Sequence, residues 1–191
     1  MTDRHGQGIG WASPPVLIGI LAMAVVVAAS NALVTSPVND WLTWAAFTYP
    51  FAFLVTDVMN RLFGPGPARK VIAAGFAAGV GLSLALSLAG VAEVRVALAS
   101  GTAFLAAQLT DVAVFDRLRQ GSWWRAPLVS SLVGATLDSA LFWPLAFAGS
   151  AFEGWWTYGL VDYAVKVGMV VLALVPFRAL TMGVARGSGA R

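Results

Sequence analysis

The chain has 191 residues, of which 59% are hydrophobic and 11% are charged, and its formal net charge is +3. A soluble domain carries about 25% charged residues, so this composition, with a mean hydropathy of +0.78, excludes a soluble protein and indicates an integral membrane protein. The chain has no cysteine and its one histidine is His5, which excludes disulfides and any metal or haem centre built on these residues in the membrane; we expect no cofactor and no metal.

Apolar segments of bilayer length, about 20 residues each, follow one another along the chain. The predicted spans are Pro14–Leu33, Trp41–Met59, Val71–Val91, Val96–Phe115, Pro127–Ala148 and Trp156–Phe177. The first span could be mistaken for a signal peptide, but its length favours a retained helix. The sequence therefore predicts an all-α membrane protein: a six-transmembrane-helix bundle over residues 14–177, a mobile N-terminal tail at 1–13 and a cytoplasmic tail at 178–191.

The basic residues of the predicted loops set the orientation of the bundle. Of the 12 lysines and arginines, only Arg95 falls outside the cell if the N-terminus is cytoplasmic, and only Lys166 falls within a span. This positive-inside bias predicts an N-in, C-in protein of the bacterial inner (cytoplasmic) membrane. It also explains the net charge without nucleic acid, which we do not expect as a partner. We interpret the terminal tryptophans as interface anchors: Trp41, Trp155 and Trp156 outside, Trp123 and Trp124 inside.

Charged residues inside the predicted spans point to function, because a carboxylate at the centre of a membrane helix costs about 2.5–3.5 kcal/mol on insertion scales. The spans contain Asp57, Asp111, Asp138, Asp162 and Lys166. Two of the acids have a base four residues later on the same helix face, Arg61 after Asp57 and Lys166 after Asp162. Both pairs could be structural or functional.

The other two acids, Asp111 and Asp138, have no local basic partner. At a rise of about 1.5 Å per residue, Asp138 and Lys166 both lie near the middle of their spans, which predicts a contact between them. Asp57 and Asp111 are predicted to lie together in the inner third of the bundle. This excess of acceptors suits a ligand rich in N–H donors, a cation or a bound proton.

Two further features predict how the helices pack. Pro50, after Tyr49, removes one backbone hydrogen bond from the second span and predicts a kink whose free carbonyl could line a cavity. Small residues on the third and fifth spans, among them Gly75, Gly79, Gly81 and Gly134, predict close helix contacts. Faces of this kind also favour a homodimer.

The residues of the spans carry a resemblance to a known family. The matching stretches are Ser30-Asn31, FTYPFAFLVTDVMNRLFG at 47–64, Ala68-Arg69-Lys70, QLTDVAVFDRLRQ at 108–120, Trp123-Trp124, Ala126-Pro127, GATLDSALF at 134–142 and LVDYAVKV at 160–167. Over residues 30–177 the chain resembles the queuosine precursor transporter family, the vitamin uptake transporter family. It departs from the family at Ala135, where an asparagine is common.

The resemblance implies an importer of 7-cyano-7-deazaguanine and its aminomethyl relative, which are salvaged for queuosine in tRNA. The implied substrate-binding residues are Asn31, Tyr49, Asp57, Gln108, Asp111, Asp138, Asp162 and Lys166. We hypothesise that Asp111 or Asp138 accepts the N–H groups of the base. Gln108, Asn31 or Lys166 would serve its acceptors, and Tyr49 or Phe142 would stack on its face. Lys166 with Asp162 would orient the acids or take part in gating.

Two other classes of function are weighed against a carrier. A substrate-capture subunit, similar to the S-components of vitamin importers, would need a separate energising ATPase, because the chain has no GxxxxGK[ST] motif. An intramembrane enzyme is disfavoured because the bundle has no histidine to act as a base. The sequence therefore predicts a transporter and not an enzyme, and it leaves the energy source open.

Overall fold

A computed structural model describes residues 9–33, 36–90 and 93–188. In this part of the chain, seven helices and one short hairpin follow one another. They are α1 (Pro14–Leu33), β1 (Pro37–Asn39), β2 (Leu42–Thr43), α2 (Ala45–Thr48), α3 (Phe51–Phe63), α4 (Pro65–Leu88), α5 (Val94–Leu118), α6 (Arg125–Phe147) and α7 (Trp155–Ser188). The two strands are antiparallel, with Pro37 opposite Thr43 and Asn39 opposite Leu42.

Five of the helices are long and apolar enough to cross a membrane: α1, α4, α5, α6 and residues 155–182 of α7. Large apolar side chains cover their outward surfaces, as Leu21 does on α1 and Val175 on α7. Lipid is the solvent that such surfaces require. The predicted helical membrane protein is confirmed.

The second predicted span, Trp41–Met59, is not one continuous helix. It begins in the hairpin and continues as the single turn α2 and the 13-residue helix α3. The break lies at Tyr49-Pro50, because Pro50 has no N–H to donate to the Ala46 carbonyl. Five continuous spanning helices and one broken element therefore replace the six continuous spans that the sequence predicted.

The helix boundaries differ from the predicted ones by more than three residues at two other places. α4 starts at Pro65 rather than Val71, because proline is well tolerated at the first position of a helix. Gly64, at φ 89°, makes the turn from α3 into α4. α7 continues past its predicted end at Phe177 to Ser188, so most of the predicted C-terminal tail is helical.

Ile9 and Trp11, in the predicted mobile tail, contact Lys70 of α4. The Lys70 ammonium donates a hydrogen bond to the Ile9 carbonyl, and it lies 5.7 Å from the centroid of the Trp11 ring. Ser13 Oγ closes a turn by donating to the Gly10 carbonyl at 2.8 Å. Residues 1–8 of the same predicted tail lie outside the described residues.

The shortened helix α3 lies at the centre of the bundle, where it contacts α1, α4, α5, α6 and α7. A Cβ added at Gly134 of α6 would lie 2.6 Å from the Phe53 ring of α3, and one at Gly75 of α4 would lie 2.4 Å from Met23 of α1. The predicted packing role is confirmed for Gly75 and Gly134 and is wrong for Gly81, where no atom lies within 4 Å of an added Cβ. Because these faces pack within one chain, the homodimer stays a prediction.

The two ends of the bundle differ in charge. At one end, which we call the basic end, Arg61 Nη1 lies 2.5 Å from the Arg119 carbonyl, and the Arg178 guanidinium lies 4.6 Å from the Trp123 ring centroid. The opposite end carries residues 36–44 and is called the hairpin end. There Arg95 Nε donates to the Leu145 carbonyl at 2.8 Å.

Candidate functional site

A cavity of about 590 Å³ lies in the hairpin half of the bundle. Its volume is within the range of small-molecule sites, about 300–1,000 Å³. The hairpin, α1, α2, α4, α5, α6 and α7 all contribute to its wall. The polar and aromatic residues that face it include Asn31, Trp41, Tyr49, Asp138, Phe142, Trp143, Tyr158, Asp162 and Lys166.

A buried ion network forms one side of the cavity. Lys166 Nζ on α7 lies 2.7 Å from Asp138 Oδ2 on α6 and 2.5 Å from Asp162 Oδ2 one turn earlier on α7. The side chains of Lys166 and Asp138 are each 5% exposed and that of Asp162 is 15% exposed. Both contacts that the sequence predicted for Lys166 are formed. Two carboxylates share one ammonium, which leaves an excess of acceptors on this wall.

Neutral side chains complete the network. Tyr49 Oη donates to Asp138 Oδ1 at 3.1 Å. Asp162 Oδ2 also accepts from Ser139 Oγ at 3.1 Å and from Trp143 Nε1 at 3.3 Å. No described residue donates to Asp162 Oδ1. The wall therefore keeps acceptor capacity on both carboxylates, since each oxygen can accept two hydrogen bonds.

The broken helix positions Tyr49. Tyr49 is the residue between α2 and Pro50. Its ring packs edge-on against the Phe104 ring, with the two centroids 6.3 Å apart. Lys166 Nζ lies 5.5 Å from the centroid of the Tyr49 ring. Ala46, whose carbonyl lacks the Pro50 donor, also lines the cavity. This arrangement agrees with the expectation that the break would face a cavity.

Aromatic rings form the wall toward the hairpin end. The Tyr158 ring lies 6.2 Å from the Trp143 ring at an interplanar angle of 29° and 5.2 Å from the Trp41 ring. Phe142 contacts Trp143 edge-on with centroids 5.4 Å apart. Trp41, which we predicted as an interface anchor, therefore lies on the cavity wall.

Asn31 also faces the cavity, from the last turn of α1. Its Nδ2 donates to the Val27 carbonyl at 2.9 Å. Beside it, the hydroxyls of Ser30 and Thr48 lie 3.0 Å apart and join α1 to α2. Asn31, Tyr49, Asp138, Asp162 and Lys166 are thus the predicted site residues that the structure brings to one cavity.

The other predicted site residues, Asp57, Gln108 and Asp111, do not line this cavity. They lie in a second polar cluster nearer the basic end, in which Thr56 Oγ1 donates to Gln108 Oε1 at 2.9 Å. Asp57 and Asp111 lie together, as predicted, with Ser131 Oγ 3.0 Å from Asp57 Oδ2 and 3.4 Å from Asp111 Oδ1. The predicted Asp57–Arg61 pair is not formed, because Arg61 donates to the Arg119 carbonyl instead.

Sequence reasoning missed Ser139, Trp143 and Tyr158 as site residues. A usable signal existed for Trp143, because an indole N–H in the middle of a span needs an acceptor, and for Ser139, which follows Asp138. Nothing in the sequence distinguished Tyr158 from an interface anchor. Among the described residues, no group of three or more Asp, Glu, His or Cys side chains could hold a metal ion.

The chain is similar to known transporters over most of its length. Residues 43–181 match the family described as "Putative vitamin uptake transporter". A queuosine precursor transporter of Escherichia coli K12 is 37% identical over 175 residues, which are 80% of this chain and 79% of that protein. A protein of Haemophilus influenzae Rd named "Probable queuosine precursor transporter" is 34% identical over 162 residues, 74% of this chain and 69% of that protein.

No solved structure matches the chain significantly. The match to the family covers the cavity-lining residues from Thr43 onward, and both relatives are named as transporters and not as enzymes. The chain therefore belongs to the queuosine precursor transporter family, the vitamin uptake transporters, and is a multi-pass membrane transporter rather than an enzyme.

Proposed function

We propose that the protein imports queuosine precursors, 7-cyano-7-deazaguanine and its aminomethyl relative, across the bacterial inner membrane. The names of the two relatives support this substrate class. The observation that carries the proposal is the cavity wall, where Asp138 and Asp162 share the single ammonium of Lys166 beside aromatic rings. Such a wall suits a flat solute with more N–H donors than acceptors.

Asp138 is the proposed partner of the donor edge of the base. A guanine-like base presents N1–H and an exocyclic amine side by side, and one carboxylate can accept both. Each Asp138 oxygen has one protein donor, Tyr49 Oη at 3.1 Å and Lys166 Nζ at 2.7 Å, and can accept a second hydrogen bond. Asp162 Oδ1 offers a further acceptor, for example to the amine of the aminomethyl compound.

Aromatic side chains and Asn31 would hold the rest of the base. Tyr49 and Phe142, the stacking candidates from the sequence, both face the cavity, and Trp143 and Tyr158 extend the same wall. Stacking on an aromatic face orients a flat ring without reading its substituents. Asn31 Nδ2 uses one of its two hydrogens on the Val27 carbonyl, so the other can serve an acceptor of the base.

In the proposed arrangement, the hairpin end faces outside and the basic end faces the cytoplasm, as the positive-inside bias predicts. The chain has no cysteine, so a single introduced cysteine reports on its own position. A membrane-impermeant maleimide added to intact cells should label Ser150→Cys at the hairpin end and leave Ser122→Cys at the basic end unlabelled. Labelling of Ser122→Cys alone would contradict import by this arrangement.

Uptake of radiolabelled 7-cyano-7-deazaguanine by liposomes that contain only the purified protein tests the function. Asp138→Asn should weaken uptake at low substrate concentration by about 10–100-fold, because hydrogen bonds to a charged group are worth about 1.5–3 kcal/mol. Asp116→Asn is the matched control, since this carboxylate is exposed and lies outside the cavity. Absence of uptake by the purified protein, or equal uptake by both variants, would contradict the proposal.

A further inference from the structure

The second polar cluster contains two buried acids that the proposed substrate site does not use. Asp57 is 3% exposed and Asp111 is fully buried. Ser131 Oγ lies within hydrogen-bond distance of both, 3.0 Å from Asp57 Oδ2 and 3.4 Å from Asp111 Oδ1, and Ser130 Oγ lies 3.3 Å from Asp57 Oδ1. A hydroxyl has one hydrogen, so Ser131 can donate to only one of the two carboxylates at a time.

Two acceptor atoms in this cluster lack a donor. Asp111 Oδ2 is buried and has no hydrogen-bond partner, and the same is true of Asn60 Oδ1. Asn60 lies one turn after Asp57 on α3, and its Nδ2 donates at 3.1 Å to the carbonyl of Val112, the residue that follows Asp111 on α5. The cluster also contains one buried donor without a partner, Gln108 Nε2, which donates to neither of these acceptors. Because buried acceptors are nearly always paired, this contact between α3 and α5 lacks at least one hydrogen where the two acceptors lie.

No basic side chain among the described residues donates a hydrogen bond to Asp111 Oδ2 or Asn60 Oδ1. On α3, Arg61 donates to the Arg119 carbonyl. On α7, Lys166 is held by Asp138 and Asp162. On α4, Lys70 donates to the Ile9 carbonyl and Arg69 is exposed.

The remaining surroundings of the two acids are uncharged. α6 faces them with the two serines, and α7 faces the void beside Asp57 with Val170, Ala173, Leu174 and Phe177. α1 and α2 contain no titratable residue. The two acids therefore lie next to each other without a compensating charge.

The space beside Asp57, which does not extend to Asp111, limits the ligand that the pair could bind. The void lined by Asp57 and Ser131 is about 10 Å³, which is at the lower limit for a single water molecule. A hydrated metal cation does not fit there, whereas a proton occupies no volume of its own. A proton on either carboxylate also turns one acceptor into a donor.

We propose that Asp57 and Asp111 together bind one proton and that import is coupled to its movement, a role that rests on the proposed function. One carboxylate takes up H⁺ and becomes a carboxylic acid, and the same O–H bond breaks when the proton leaves. Ser131 precedes Asp138 by seven residues on α6, about 10 Å along the helix. The proton site thus lies between the substrate cavity and the packed Phe115 and Phe177 rings, whose centroids are 6.1 Å apart.

This position couples the proton to the conformational cycle. Phe115, Ala126 and Phe177 form a buried apolar cluster that separates the acids from the basic end. The proton can leave toward that end only when this cluster opens, which is also the step that would release the substrate there. Because the proton and the substrate would both leave in the same opening step, the carrier would move them together.

Wild-type protein in liposomes with a pH-sensitive dye inside tests the coupling. We expect uptake of 7-cyano-7-deazaguanine to acidify the lumen, and a tenfold proton gradient, acid outside, to raise substrate accumulation about tenfold if one proton moves per substrate. Asp57→Asn and Asp111→Asn should each abolish the acidification and the gradient-driven accumulation, whereas Asp116→Asn should keep both. Uptake without acidification, or accumulation driven by a sodium gradient instead, would overturn the proposal.

A second measurement does not depend on the substrate. Infrared spectra of the wild type should contain the absorption of a buried protonated carboxyl group, which is absent from Asp57→Asn and from Asp111→Asn and retained in Asp116→Asn. If the wild type lacks this absorption, the proton site is wrong even when uptake is normal. If the absorption is present but no queuosine precursor is transported, the proposed function fails and the proton site stands.

Discussion

Lys166 Nζ lies 2.7 Å from Asp138 Oδ2, and this contact joins α7 to α6 through a buried ion pair. Asp162 reaches the same ammonium from one turn earlier on α7. Without the ammonium, two largely buried carboxylates would lie near each other without a compensating charge. The lysine is therefore both a structural cross-link and the reason that two acids can line one cavity.

Removing this ammonium should be costly. Lys166→Met keeps the length of the side chain but leaves uncompensated buried charge, so we expect the free energy of unfolding to fall by about 3–5 kcal/mol. Arg119→Gln is the control, because it removes the ion pair with the 41% exposed Asp116, which is worth about 0–1 kcal/mol. Unfolding of both variants in detergent, followed by circular dichroism, measures the difference. Similar losses would show that the Lys166 network is effectively solvated.

Restoring the missing backbone donor should close the break in the central helix. Pro50→Ala supplies an N–H for the Ala46 carbonyl, and a proline inside a helix costs about 3 kcal/mol. We expect this variant to unfold at a higher temperature but to take up substrate more slowly, because a continuous α2–α3 helix moves Tyr49 relative to Asp138. Pro144→Ala is the control, since Pro144 lies inside the continuous helix α6 and not on the cavity wall. A wild-type uptake rate for Pro50→Ala would contradict a functional role for the break.

The depth of a residue along an uninterrupted helix was predictable from the sequence. The direction in which its side chain faces, which depends on the rotation of the helix, was not. The Asp138–Lys166 contact followed from counting residues into two uninterrupted helices, and α1 has its predicted bounds, Pro14–Leu33. Gln108 and Asp111 were assigned to the substrate site from composition and resemblance. Whether an acid on α5 faces the cavity depends on the rotation of α5 about its axis, which tertiary packing decides.

Local spacing also misled the prediction for Arg61. An i,i+4 spacing brings Asp57 and Arg61 to one helix face but does not decide which acceptor the arginine chooses. α3 ends at Phe63, two residues after Arg61, and the Arg119 carbonyl at the end of α5 lies within 2.5 Å of its Nη1. The competing acceptor comes from a residue 58 positions away in sequence, so no local pattern could reveal it.

Gln108 provides a test of whether the two polar clusters have separate roles. Gln108→Met removes a buried amide whose Nε2 has no partner, and Thr56 Oγ1 keeps its backbone acceptors Ala52 and Phe53. Because Gln108 does not line the cavity, we expect the KM for 7-cyano-7-deazaguanine to change by less than about threefold. Asn31→Leu, on the cavity wall, should raise KM by about tenfold through the loss of a hydrogen bond to the base. A comparable rise in Gln108→Met would place Gln108 against the base in another state of the transport cycle.

The close approach of α6 to α3 depends on Gly134. A Cβ there would lie 2.6 Å from the Phe53 ring and 3.4 Å from the Ala107 carbonyl, and Phe53 is 1% exposed, so its ring has little room to move. We expect Gly134→Ala to lower the free energy of unfolding by about 1–3 kcal/mol, the usual cost of overpacking. Thermal unfolding in detergent measures the shift.

Gly81→Ala is the matched control for this substitution, because no atom lies within 4 Å of a Cβ at Gly81 in the middle of α4. Alanine is favoured over glycine in a helix by about 0.5–1 kcal/mol, so Gly81→Ala should leave stability unchanged or raise it. Because α6 packs on α3 through Phe53, the free energy of unfolding should fall in Gly134→Ala and should not fall in Gly81→Ala. Stabilisation by Gly134→Ala would instead mean that α6 and α3 stand farther apart than this structure has them.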